Sequence, residues 1–60
     1  MLLYELYKVS SINTVVLLYD RTGKVIYYGS LDKLNIDILQ SRVTYLRPIA
    51  INEIIVKIDI

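Results

Sequence analysis

The sequence predicts a small α+β domain, mostly β. The expected form is an antiparallel sheet of about five strands in the order β-β-β-α-β-β, or a partial barrel, with one short helical segment. Two β-branched and aromatic runs, Thr14–Tyr19 and Lys24–Tyr28, flank the turn Asp20-Arg21-Thr22-Gly23. The run Ile54–Ile60 alternates cleanly, with Ile54, Val56, Ile58 and Ile60 on one side and Ile55, Lys57 and Asp59 on the other. A length of 60 residues allows one domain, 1–60, and little room for a helix large enough to cover a sheet.

Along Met1–Val9, Leu2, Tyr4 and Leu6 alternate with Leu3, Glu5 and Tyr7, which reads as a first strand. Ser10–Asn13 is a polar connection. The Asp20–Gly23 turn carries the strongest local signal. Asp at its first position and Gly at its fourth suit a type I turn followed by a left-handed residue, the three-residue hairpin with a bulge at Gly. That turn sets Asp20 opposite Lys24, Tyr19 opposite Val25, Leu18 opposite Ile26, Leu17 opposite Tyr27 and Val16 opposite Tyr28. One face then holds Val15, Leu17, Tyr19, Val25 and Tyr27, and the other Val16, Leu18, Ile26 and Tyr28. Both are apolar, so the hairpin needs cover on both sides. A helix can cover one; a second sheet or a second subunit must cover the other.

Gly29 ends the hairpin. Ser30 is an N-cap candidate for Leu31–Leu34, and Asn35 for a second turn, Ile36–Ser41, with Ile36, Leu39 and Ile38 turned inward. Helical pieces this short depend on packing. Alternation resumes over Arg42–Arg47, and Pro48 either stops that strand or places it at an edge. Arg47–Asn52 is apolar where connections are usually polar, so it either packs back on the sheet or joins a contact surface.

Hydrophobic residues make up 55% of the chain before Gly is counted, against about 45–50% with Gly for ordinary domains. A chain this short buries only about 60% of the surface its unfolded form exposes. Disulfides, a structural metal or a second subunit are the usual supplements. Without Cys, disulfides and thiolate metal sites are excluded, and without His only carboxylates and carbonyls remain, a poor ligand set for zinc, which leaves association. Homodimerisation is therefore expected, and no cofactor or metal.

The same absences remove nucleophilic triads and their bases. Asp20 and Asp32 are explained by a turn and a helical first turn. The Asp20–Gly23 turn lacks the Gly-rich stretch and the Lys-Ser/Thr of a phosphate loop. No catalytic residue is assigned, and the chain is read as a non-enzyme. Seven basic and six acidic residues alternate along it for a net charge of +1, so no nucleic-acid footprint stands out. Six tyrosines on a sheet near Arg42, Arg47 and Lys57 could nonetheless stack bases, which keeps a single-stranded nucleic-acid binder as the second reading. The longest uninterrupted apolar run, Val15–Tyr19, is far too short to span a membrane. The start MLLYELYK has no basic n-region and carries Glu5, so no signal peptide and a cytoplasmic location are expected. The candidate interface residues are Tyr27, Tyr28, Tyr45, Arg47, Ile49 and Ile51, because Tyr and Arg anchors dominate protein interfaces.

The stretch from Leu18 to Gly29, LYDRTGKVIYYG, is followed by a short Leu/Ile-spaced turn and a terminal alternating strand. In this style of sequence, over most of its length, the chain resembles small proteins encoded by phages of low-GC Gram-positive hosts. The resemblance implies a single-domain inhibitor of host immunity that binds and occludes a defence protein, often as a dimer, in the host cytoplasm. It implies no catalytic residue. A virion structural or assembly subunit is a third reading.

Overall fold

The computed structural model describes residues 1–10 and 13–60. Its elements are α1 (Leu3–Val9), β1 (Val15–Tyr19), β2 (Val25–Ser30), a 3-10 turn (Leu31–Lys33), α2 (Ile36–Leu39), β3 (Val43–Ala50) and β4 (Glu53–Ile58). They form a mostly β, α+β domain with one four-stranded mixed sheet in the order β2-β1-β4-β3. Two antiparallel hairpins, β1–β2 and β3–β4, are joined at the centre by parallel pairing of β1 with β4. The expected five antiparallel strands are thus four, with a parallel centre.

The missing strand is the first. Met1–Val9 supports two periodicities, and the helical one prevails because Leu3 and Leu6, three apart, both enter the core. Glu5 accepts a 2.7 Å hydrogen bond from the Leu2 N–H at the helix start. On the outer face Tyr4 and Tyr7 pack with ring centroids 6.0 Å apart, and Lys8 lies 5.8 Å from the Tyr4 ring centroid. The chain before α1 is tied to the start of β3 by Val43 N–H to Met1 C=O (2.8 Å) and Leu3 N–H to Ser41 C=O (2.9 Å). The polar connection read over Ser10–Asn13 includes Ser11 and Ile12, which lie outside the described residues.

The β1–β2 turn forms as its residues require. Gly23 takes φ +91°, and its N–H bonds the Asp20 C=O at 3.0 Å. Asp20 Oδ1 accepts from the Thr22 N–H, the Thr22 hydroxyl and the Lys24 N–H. These bonds, the Thr22 hydroxyl first, hold the Asp20 carboxyl below the usual carboxylate range. The register departs from expectation one step beyond the turn. Tyr19 faces Val25, but a bulge then sets Leu18 opposite Tyr27, Leu17 opposite Tyr28 and Val16 opposite Gly29. Tyr27 therefore joins the face of Val16 and Leu18, and Tyr28 that of Leu17, the reverse of the bulge-free register. Gly29 has φ +154° with the Tyr27 ring lying over it; a Cβ there would meet the Tyr27 hydroxyl at 3.0 Å.

Asn35 caps α2, its Oδ1 accepting from the Ile38 N–H at 3.0 Å. Leu39 is buried and Ile38 packs on the core, whereas Ile36, expected inward, is exposed because α2 makes a single turn. The Ser30 hydroxyl turns to the Asp32 carboxylate and caps no backbone N–H.

Strand β3 runs through Pro48 to Ala50 as an edge strand, the second of the two outcomes expected for Pro48. The backbone direction of β4 explains the tolerance. Asp59 N–H bonds Arg42 C=O, so odd-numbered β4 residues direct their backbone groups at β3 and even-numbered ones at β1. Pro48 pairs with Ile54, so its donor-less nitrogen faces the free edge, where no ladder bond is lost.

Leu3 and Leu6 of α1, Leu31, Leu39, and Val16, Leu18, Val56 and Ile58 of the central strands make one core cluster. All the helical segments therefore cover the same face of the sheet. A domain of this size has only about 3–9 kcal/mol of stability, so single core residues matter. Leu18→Ala is expected to cost about 3 kcal/mol in urea unfolding, while Val9→Ala at an exposed position stays within about 0.5 kcal/mol. The depressed Asp20 pKa contributes stability above its unfolded-state value, and the contribution vanishes as pH falls through the lower folded-state value. The difference in urea midpoint between the wild type and Asp20→Asn should therefore narrow on acidification below about pH 4. A constant difference would show that the turn bonds do not depend on the charge.

Candidate functional site

No described element covers the side of the sheet away from the helices. Register places its outward residues in three rows across β2, β1, β4 and β3. The first row is Ser30, Val15, Glu53 and Ala50, the second Tyr28, Leu17, Ile55 and Arg47, and the third Val25, Tyr19, Lys57 and Tyr45. The middle columns, Val15, Leu17, Tyr19 and Ile55, are half-buried by their neighbours alone, while Tyr28 is 60% and Tyr45 48% exposed. An antiparallel sheet that meets water usually alternates apolar and polar; this face is mainly aliphatic and aromatic.

Two charged side chains stand inside the apolar face, both on β4 and four residues apart: Glu53 in the first row and Lys57 in the third. The Tyr28 hydroxyl donates to Glu53 Oε2 at 3.3 Å. Since β1 lies between their strands, the Tyr28 side chain spans β1. Between Tyr19 and Tyr45 the face is hollowed: Tyr19, Thr44, Tyr45, Ile55 and Lys57 line an open concavity of about 630 Å³. Arg47 sits at the outer edge of the middle row.

Of the residues singled out from sequence, Tyr28, Tyr45 and Arg47 share the open face, with Tyr28 on one edge strand and the other two on the opposite one. Tyr27 lies on the helical face, half-buried against the core, its hydroxyl donating to the Ser30 C=O. Ile49 occupies the bulge near the end of β3, and Ile51 the turn to β4, where it is 97% exposed. The apolar segment Arg47–Asn52 thus stands out as a hairpin end and does not fold back on the sheet. Sequence reasoning omitted Val15, Leu17, Tyr19, Ile55, Glu53 and Lys57 from the site. The signal for the first three was the two-sided hairpin; the β4 residues needed the β1–β4 pairing, which no local pattern encodes.

Among the described residues no group of three or more acidic, Cys or His side chains is placed to hold a metal ion. No helix among them is long and apolar enough to cross a membrane. Comparison of the chain with protein-family models, curated proteins and solved structures found no match.

The two adjacent tyrosines separate the faces. Tyr27→Ala should lower the urea midpoint strongly, by about 2–3 kcal/mol equivalent, because it leaves a void beside the core. Tyr28→Ala should cost less stability and chiefly change the surface, seen as altered association at equal circular dichroism. Equal losses of stability from both variants would identify both faces as ordinary core.

Proposed function

We propose that this chain is a non-catalytic protein-binding module that acts as a homodimer and occludes a host protein in the cytoplasm. The open sheet face carries the reading. It presents Val15, Leu17, Tyr19, Val25, Tyr28, Tyr45 and Ile55 as one patch on a chain too short to cover it. A second copy supplies the missing layer and turns two four-stranded sheets into a sandwich. The hairpin end with Ile49 and Ile51 and the outer tyrosines of α1, Tyr4 and Tyr7, remain exposed for a further protein. The absence of His and Cys supports a contact role over catalysis. The occlusion of a host defence protein rests on the resemblance to small phage proteins.

Three tyrosines and two cations on one sheet face favour a second reading, a single-stranded nucleic-acid platform. Glu53 on that face and a net charge of only +1 weigh against it.

Sedimentation equilibrium across micromolar concentrations tests the first reading: a dimer is expected, and Leu17→Lys should shift it to monomer. A wild-type monomer throughout would remove the dimer. Oligonucleotide binding with a steep salt dependence would move the assignment to the second reading.

A further inference from the structure

Resting on the dimer reading, we infer that the two copies pack face to face about a two-fold axis running across the strands. In this arrangement Glu53 of each copy pairs with Lys57 of the other. Aligned face-to-face packing of two identical sheets admits an in-plane axis close to the strand direction or close to its perpendicular. An axis along the strands keeps the rows in step and lays β1 on β4, setting Glu53 against Val15 and Lys57 against Tyr19. Each charge would then be desolvated without a counter-charge. An axis across the strands lays each strand on its own copy and reverses the rows. Glu53 in the first row then meets Lys57 in the third, twice per dimer, while Leu17 meets Leu17 and Ile55 meets Ile55 in the middle row.

The remaining contacts fit. The hollow between Tyr19 and Tyr45, beside Lys57, faces the row of Val15, Glu53 and Ala50, whose aliphatic members are small. Sheets in sandwiches pack about 10 Å apart, a gap that a Glu and a Lys side chain bridge together. Arg47 meets its own copy, but from the outermost strand it can extend past the rim into water. The Tyr28 bond to Glu53 holds the carboxylate over the face while leaving its second oxygen to accept from the partner.

The area is sufficient. A molecule 26 × 22 × 18 Å in extent, with strands about 4.8 Å apart, presents a sheet face on the order of 500 Å². Two such faces bury on the order of 1,000 Å², the lower bound for a specific interface.

Charge exchange and cross-linking test the axis. Glu53→Lys or Lys57→Glu alone places like charges together and should weaken dimerisation on the order of tenfold or more; combining the two substitutions should restore it to within a few-fold. The natural absence of Cys makes thiol chemistry clean and independent of the charge variants. Mixed chains carrying Glu53→Cys and Lys57→Cys separately should give a covalent dimer with a bis-maleimide of about 10 Å span, the gap between packed sheets, which is too wide for a direct disulfide. Either cysteine alone should give none. A dimer cross-linked between separate Glu53→Cys and Val15→Cys chains in place of that pair, or unmoved by the charge exchange, would overturn this axis and leave the dimer standing. A chain that stays monomeric and cross-links in no variant would overturn the dimer as well.

Discussion

Val16 and Leu18 on β1 lie beside Ile54 and Val56 on β4, and this parallel contact is what makes one sheet of two hairpins. Each hairpin alone would be a two-stranded ribbon of marginal stability. Joined at their inner strands, they line up Val16, Leu18, Val56 and Ile58 as a stripe on one face, against which Leu3, Leu6, Leu31 and Leu39 pack. Everything else attaches to that stripe. The link from β2 to β3 must cross from one edge of the sheet to the other, and it does so over the stripe as the 3-10 turn and α2. Helix α1 fills the rest of that side, with its leading residues laced to Ser41 and Val43. The described helical segments thus all lie on one face of the sheet.

Local chemistry was readable, and pairing between distant segments was not. The Asp20–Gly23 turn, the Asn35 cap and the two faces of β4 all depend on residues within a few positions of one another, and they form as the sequence indicates, except that β4 ends at Ile58 and leaves Ile60, expected on the inner face, exposed. Three features escaped. Met1–Val9 fits both a strand and a helix, and only the presence of Leu31, Leu39 and the central strands as a bed for Leu3 and Leu6 decides between them. The bulge after Val25 has no sequence marker, since Val25 and Ile26 suit a regular strand equally well; yet it exchanges the faces of Tyr27 and Tyr28. The partnership of β1 with β4 joins segments almost forty residues apart in the chain. The demand for cover on both sides of the hairpin, by contrast, was visible, because it follows from residue type in either register.

The open face and the small core belong together in this sheet. Sixty residues pay the entropy of ordering a four-stranded sheet but bury apolar surface on only one side of it. In the proposed dimer, covering the second side would add to stability by mass action, and the folded population would rise with protein concentration. Substitutions on the open face then act on association first and on folding second, whereas those at Leu18 or Val56 act on folding directly.

Glu53 and Lys57 are the residues this scheme must explain, because a purely apolar face would associate without either. Desolvated singly, each would oppose contact. Set four apart on one strand, they sit on the same side at opposite ends of the face, a spacing that a two-fold rotation across the strands brings into register and a rotation along the strands does not. Their contribution is then chiefly to orientation. Aliphatic side chains tolerate several ways of stacking two sheets, while a carboxylate and an ammonium at fixed places penalise every arrangement that leaves them unpaired. In the proposed dimer the apolar rows would drive two copies together, and the two charges would choose how they lie.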